Sequence, residues 1–254
     1  MSETTIPFRK RMEFEYGEIQ QVTPLVRRLV ARNPSGFTFH GTNTYIVGHG
    51  RVSIIDPGPI LDEQTSAIVK GLEGETVENI LVTHTHRDHS PGVTPLKKKV
   101  GGNVHGAIPR ETPTTTRTAE SIQYDFAPDN VLRNGTIVQG DGWTLKAIHT
   151  PGHYYDSICY QLDSVLFTGD TLFVGRTGRV ISANSSIADL YDSVYNKLLT
   201  LRDLTRIYPG HDYGEKPTIT LEENVKISPL LQAKNLEDFK CRMDDYENNR
   251  KPGS

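Results

Sequence analysis

The sequence predicts a mixed α/β fold made of two sheet-bearing halves, packed sheet to sheet with helices outside. Three observations carry that expectation. A strand–helix–strand run, the unit of an α/β layer, fills the stretch from Gly41 to Val82. Short apolar runs separated by turn residues follow from Gly135 to Phe167. Helical spacing then opens at Ser186 and returns after residue 219. The sequence contains no internal repeat.

Taken in order, residues 1–20 read as an extended lead-in. A single domain then runs from 21 to 254, with two helices from about 219 and a frayed tail at 248–254. Val22–Ala31 alternates apolar and polar residues and reads as a first edge strand. Asn33-Pro34-Ser35-Gly36 is turn chemistry. Strands at Thr44–Val47 and Val52–Ile55 flank Gly48-His49-Gly50 and make a hairpin. Leu61–Leu72 is spaced as a helix through Ile68, Val69 and Leu72. Ile80-Leu81-Val82 is a buried strand, and Val93–Val100 a helix stopped by Gly101-Gly102. Asn103–His105 is a short strand. The polar, aperiodic stretch 108–130 reads as a surface excursion, a flap over the site. Strands follow at Thr136–Val138, Leu145–Ile148, Ile158–Leu162 and Val165–Phe167, and a last one at Ile207-Tyr208. Ser186 caps the clearest helix, with Asp189 as its capping partner. Its stripe of Ile187, Leu190, Tyr191, Val194 and Leu198 is core.

Composition removes some function classes. With 28 basic and 31 acidic residues the net charge is −3, which argues against a nucleic-acid or membrane-surface partner. No apolar run reaches the length of a membrane span, and the polar N-terminus has no signal-peptide core. Cys159 and Cys241, the only two cysteines, read as free thiols, which fits a cytoplasmic location.

The chemistry concentrates at Thr83-His84-Thr85-His86-Arg87-Asp88-His89, directly behind the buried strand. Side chains alternate along an extended segment, so His84 and His86 point the same way, while Asp88 and His89 follow where the chain turns. Imidazole and carboxylate together suit zinc or iron. One such turn aims two pairs of ligands at neighbouring points, and two metals need more donors and a bridge. Three later strand ends offer them: His153 in HTPGH, Asp170 in FTGD and His211 in YPGH. His149 and Asp56 read as supports rather than ligands. His40, His49 and His105 have no ligand context.

THTHRDH, HTPGH, FTGD and YPGH in this order resemble the metallo-β-lactamase superfamily, from about Gly41 to about Glu223. The resemblance implies an αββα four-layer sandwich with metals at one edge between the sheets. It implies that His84, His86 and His153 hold one metal, that Asp88, His89 and His211 hold a second, and that Asp170 bridges. Two zinc ions would lower the pKa of a shared water, with Asp88 also orienting that nucleophile. Iron is the alternative ion.

Several branches of the family compete for the substrate. The second half is similar to hydroxyacylglutathione hydrolases, which implies thioester hydrolysis on a small thiol-derived substrate. In that branch Arg179 falls where a basic residue holds the glutathione carboxylate, and Tyr213 matches a tyrosine near the glutathione. Ile181 departs from that pattern, standing where the branch tends to place a tyrosine. Leu190–Val194, Ile207–Pro209 and Glu222-Glu223 resemble persulfide dioxygenases, in which His84, His153 and Asp170 would bind one iron. Asn33-Pro34, Gly41–Tyr45 and Asp56–Gly58 resemble β-lactamase-like endoribonucleases, against which the acidic charge counts. The bridging position of Asp170 disfavours a true β-lactamase. Tyr154-Tyr155, where threonine commonly follows the histidine, either form an aromatic wall for an acyl group or pack against the hairpin.

Overall fold

The computed structural model describes residues 13–109, 123 and 125–249. One sheet has seven strands lying side by side in chain order: β1 (Gln20–Thr23), β2 (Val26–Val30), β3 (Asn43–Val47), β4 (Arg51–Ile55), β5 (Thr76–Leu81), β6 (Asn103–Gly106) and β7 (Asn130–Val131). Pairing is antiparallel from β1 to β4 and parallel from β4 to β7. Parallel neighbours need crossovers. Helices α1 (Asp62–Gly71) and α2 (Val93–Val100) supply the first two, each returning the chain so that the next strand ends at the same edge.

The second sheet has six strands. β8 (Ile137–Gln139), β9 (Thr144–His149), β10 (Ile158–Leu162) and β11 (Val165–Gly169) form an antiparallel meander. A small hairpin, β12 (Leu172–Phe173) with β13 (Arg176–Thr177), follows. Helix α3 (Ile187–Tyr191), capped by Ser186, continues as a π-helical stretch over Asp192–Leu198. It carries the chain to β14 (Arg206–Pro209), which lies parallel to β11, and then to β15 (Ile219–Thr220). Helices α4 (Leu221–Ile227) and α5 (Leu236–Asn248) close the described chain, joined by a 3₁₀ turn at Pro229–Gln232.

The layers follow from strand alternation. Tyr45, Val47, Ile55 and Leu81 point from the first sheet to meet Leu145, Ile158, Tyr160, Phe167 and Tyr208 of the second. Their neighbours Ile46, Ile54 and Ile80 point the other way, onto Ile68, Leu72 and Leu96 of the α1–α2 layer. Cys159 and Leu166 likewise face Leu190, Val194, Leu198 and Phe239. Both faces of the central strands are therefore buried, and the result is the expected αββα sandwich.

Several local expectations change. Val22–Ala31 is two strands, because Pro24 cannot donate and the Thr23 hydroxyl accepts from the amides of Leu25 and Val26, closing a turn; β1 and not β2 is the edge. The strands β7, β12 and β13 are too short to show a period of two. The expected flap at 108–130 lies largely outside the described residues. Among the described residues no helix is long and apolar enough to cross a membrane.

The outer layer gives a direct check on this packing. Phe239 of α5 is fully buried against the second sheet's helices, far along the chain from the ligand motifs. Phe239→Ala should cost about 3–5 kcal/mol of stability, read as a lower denaturant midpoint at unchanged metal content per folded chain.

Candidate metal centre

Four strand ends open at one edge between the sheets. His84, His86, Asp88 and His89 follow β5, His153 follows β9, Asp170 follows β11 and His211 follows β14. The structure brings all seven together. His84 Nε2 and His153 Nε2 stand 2.9 and 3.1 Å from His86 Nδ1. His211 Nε2 is 3.2 Å from Asp88 Oδ2 and 3.3 Å from His89 Nε2. Asp170 lies between the two groups, with Oδ1 3.4 Å from His89 Nε2 and Oδ2 3.4 Å from His211 Nε2 and 3.7 Å from His153 Nε2. Donors on one tetrahedral zinc at 2.0–2.1 Å stand about 3.3 Å apart, so these spacings fit metal coordination, and Asp170 also groups with His84 and His89. His84, His86 and His153 form one donor group, and Asp88, His89 and His211 another.

The outer hydrogen bonds give the same answer by a separate route. His153 Nδ1 and His211 Nδ1 each face a backbone carbonyl, of Arg179 at 2.8 Å and Gly41 at 3.0 Å. A carbonyl only accepts, so Nδ1 carries a proton and Nε2 is the nitrogen turned toward the cluster. His89 Nδ1 lies 2.8 Å from Asp56 Oδ2. The Thr83 hydroxyl donates to the same carboxylate at 2.6 Å, which leaves it to accept from His84 Nδ1 at 3.1 Å. Asp56 thus orients one ligand from each group, the supporting role expected for it. His149 is also a support, its Nε2 meeting the Tyr155 carbonyl at 3.0 Å.

Electrostatics divides the cluster. Burial pushes His84, His86 and His153 down, His86 to about 3, so these rings are neutral. Burial acts the same way on His89 and His211, but the carboxylates outweigh it: Asp88, Asp170 and Asp56 push His89 up to about 10, and Asp170 with Asp88 raises His211. Burial would raise Asp88 and Asp170, yet His89 and His211 hold both low. A donor set of this composition suits zinc or iron.

The backbone reaches the cluster where side chains are missing. A Cβ on Gly210 would come within 2.5 Å of Asp170 Oδ1 and 2.7 Å of His89 Cε1, and one on Gly178 within 1.9 Å of the Asp170 carbonyl oxygen. The Gly210 loop is anchored by residues to which the sequence assigned no role at the cluster. Asn43 Nδ2 donates to the Pro209 carbonyl and to Asp212 Oδ1, Tyr45 donates to the Pro209 carbonyl, and buried Arg28 pairs with Asp212 at 2.7 Å. Asp156 was missed as well. It accepts from the Thr85 hydroxyl at 2.6 Å, tying the His84–His89 turn to the His153 turn.

A cavity of about 590 Å³ opens beside Asp88, His153 and Asp170, lined further by Phe37, Phe173, Arg176, Arg179, Ile181, Tyr213 and Tyr246. Arg179 and Tyr213 therefore border it as expected. Tyr154 does not, which corrects the aromatic-wall expectation for it. Its ring is fully buried, packs 4.9 Å from the His86 ring and accepts at its hydroxyl from Asn184. Tyr213 donates its hydroxyl proton to the Phe37 carbonyl. Arg179 pairs with Glu247.

Comparison with known proteins identifies the family and the fold. The profile of the metallo-beta-lactamase superfamily matches residues 37–211. An atrochrysone carboxyl ACP thioesterase of Passalora fulva is 34% identical over 190 residues, 72% of this chain and 52% of that protein. A probable polyketide biosynthesis zinc-dependent hydrolase, BaeB of Bacillus velezensis, is 32% identical over 162 residues, 63% of this chain and 68% of that protein. The matched part spans between 48% and 68% of the length of the fungal relatives it resembles, 52% for the Passalora fulva protein. Among solved structures, ETHE1 from Myxococcus xanthus superimposes with a TM-score of 0.69 at 28% identity, covering 90% of this chain and 93% of that one.

Two measurements check the supports of the cluster. Asp56→Ala should lower metal affinity roughly 10–100-fold, as loss of such orienting partners does, read by chelator competition. For Asp156, burial pushes the carboxyl up to about 7, against an ordinary value of about 3.9 in the unfolded chain. The folded protein then holds a proton that the unfolded chain has lost, so stability falls as pH rises from about 4 to about 7 and levels off above. The slope is at most about 1.4 kcal/mol per pH unit. Asp156→Asn should flatten that segment of the stability–pH curve; an unchanged curve would refute the assignment.

Proposed function

The chain belongs to the metallo-β-lactamase superfamily, and from that premise we propose that this metallohydrolase cleaves thioesters at a binuclear centre. The observation that carries the reading is the state of the pocket's ionisable groups. Outside the ligand set, the described lining offers three arginines, Arg87, Arg176 and Arg179, which do not give up a proton, and two tyrosines, of which Tyr213 gives its proton to the Phe37 carbonyl. Tyr246 accepts from Arg176, and no imidazole or carboxyl outside the ligand set stands in that lining to protonate a departing amine or alkoxide. A thiolate leaves without that help, because thiols are already acidic.

Two cations in this donor set would supply Lewis acidity and a water of lowered pKa. The protein's own groups do the remainder. Asp88 borders the cavity and has an acceptor oxygen with which to orient the attacking water. Phe37, Phe173 and Ile181 offer apolar surface to the acyl group. The names of the relatives favour a thiol on the carrier type, an acyl-pantetheine arm, over glutathione.

The mononuclear iron reading, persulfide dioxygenation through His84, His153 and Asp170, would leave Asp88, His86, His89 and His211 converged without use. The convergence of seven donors therefore favours the hydrolase. Zinc is the preferred ion on the same grounds of name, from the zinc-dependent relative.

Purified protein should carry two zinc per chain by elemental analysis. Zinc-loaded protein should release thiol from acyl-pantetheine or acyl-N-acetylcysteamine thioesters in an Ellman assay. His84→Ala and Asp170→Ala should each lose metal and turnover together. Absence of thiol release from every thioester would sink the reading, and one iron per chain would favour the dioxygenase.

A further inference from the structure

One wall of the cavity comes from neither ligand-bearing strand end. It is the end of α5, where Tyr246 lines the cavity beside Arg176 and the next residue, Glu247, holds the lining residue Arg179 from behind the wall. The Tyr246 hydroxyl accepts from Arg176 Nη1 at 2.7 Å. Glu247 takes Arg179 in a two-pronged pair, Nε to Oε1 at 3.0 Å and Nη2 to Oε2 at 2.7 Å. The Arg179 and Glu247 side chains are 30% and 25% exposed, so the pair is reachable from solvent, with Arg179 on the cavity lining, rather than sealed in the core. The position of Arg179 is fixed from two further directions. Its carbonyl accepts from the ligand His153, and its guanidinium lies 5.8 Å from the centre of the Phe37 ring.

The Nε–Nη2 edge of a guanidinium is the surface that reads a carboxylate with both oxygens. In this chain that edge already holds a carboxylate, tethered to the protein. We propose that Glu247 is a specificity-determining residue. It fills the anion-reading edge of Arg179 and turns the cavity against thiols that carry free carboxylates, in favour of thioesters whose thiol side is uncharged near the sulfur. A substrate carboxylate has to displace a tethered competitor, and the displaced Glu247 then remains beside it as a like charge in a half-buried place. That is discrimination by repulsion as well as by occupancy. A pantetheine arm, with amides and no carboxylate, meets no such obstacle. Glutathione does.

The inference rests on the thioesterase reading for the natural substrate, while its test stands on binding alone. Calorimetry on zinc-loaded protein compares S-hexylglutathione with S-hexyl-N-acetylcysteamine, neither of which is hydrolysed, in the wild type, in Glu247→Gln and in Arg179→Gln/Glu247→Gln. The affinity ratio, charged over neutral, should rise about tenfold or more in Glu247→Gln and fall back in the double variant, because the freed edge of Arg179 is what the glutathione carboxylate would use. A ratio within about twofold of wild type, no binding of S-hexylglutathione by the single variant, or a gain that survives removal of Arg179 would each overturn the proposal. Turnover of acyl thioesters is followed in parallel. Its absence everywhere would overturn the thioesterase reading, and the affinity ratios would still decide the role of Glu247.

Discussion

The site depends on the Asp56 carboxylate. It sits immediately after β4 with a left-handed backbone, φ 50°, a conformation costly for a residue other than glycine. Three donors hold it there: the Thr83 amide at 2.7 Å, the Thr83 hydroxyl at 2.6 Å and His89 Nδ1 at 2.8 Å. Each of those bonds also sets something at the cluster. The amide bond fixes the end of β5 where the ligand turn begins. The hydroxyl, having given its proton to Asp56, fixes the tautomer of His84. The ring bond fixes His89. One carboxylate just past a neighbouring strand thereby aims a candidate donor from each of the two donor groups.

A second constraint is how closely backbone must approach backbone at the sheet edge. Five imidazoles and two carboxylates can converge only if the loops carrying them contribute little bulk of their own. Gly178 and Gly210 lie where any side chain would meet Asp170 or His89. The buried network of Asn43, Asp212 and Arg28 then pins the Gly210 loop to the opposite sheet. Asp156 and Thr85 do the same for the turns bearing His86 and His153. Both sheets contribute ligands, so each such tie across the edge fixes distances that neither half sets alone. The burial of the cluster adds to this. With water excluded, the opposed effects on the histidines grow large enough to keep three rings neutral while two lean on carboxylates.

The substrate side is built differently. Its walls are the 33–38 loop, the β13 turn and the end of α5, segments far apart in the chain. Arg179 belongs to both worlds, its carbonyl on a metal ligand and its side chain on Glu247. The metal chemistry is fixed by strand ends, and the fit to a substrate by what is laid over them.

The sequence determined the two sheets, the helices outside them and the seven candidate donors that converge at the sheet edge, because each of these is a local signal. An apolar run of period two ends, a small residue follows, and an imidazole or carboxylate comes next. That pattern is readable at His84, His153, Asp170 and His211 without knowing where the strands lie. Pairings between distant residues leave no such trace. Nothing local to Glu247 marks it as the partner of Arg179, and nothing local to Asn43 or Asp156 ties it to the ligand loops. Tyr154, read beside His153 as either wall or packing, was decided by burial, since only the folded chain shows that its ring lies beneath His86 and not at the cavity. Tertiary structure alone settled these points, because a hydrogen bond or ion pair between residues 68 or more apart depends on the packing of whole layers rather than on the period of any one segment.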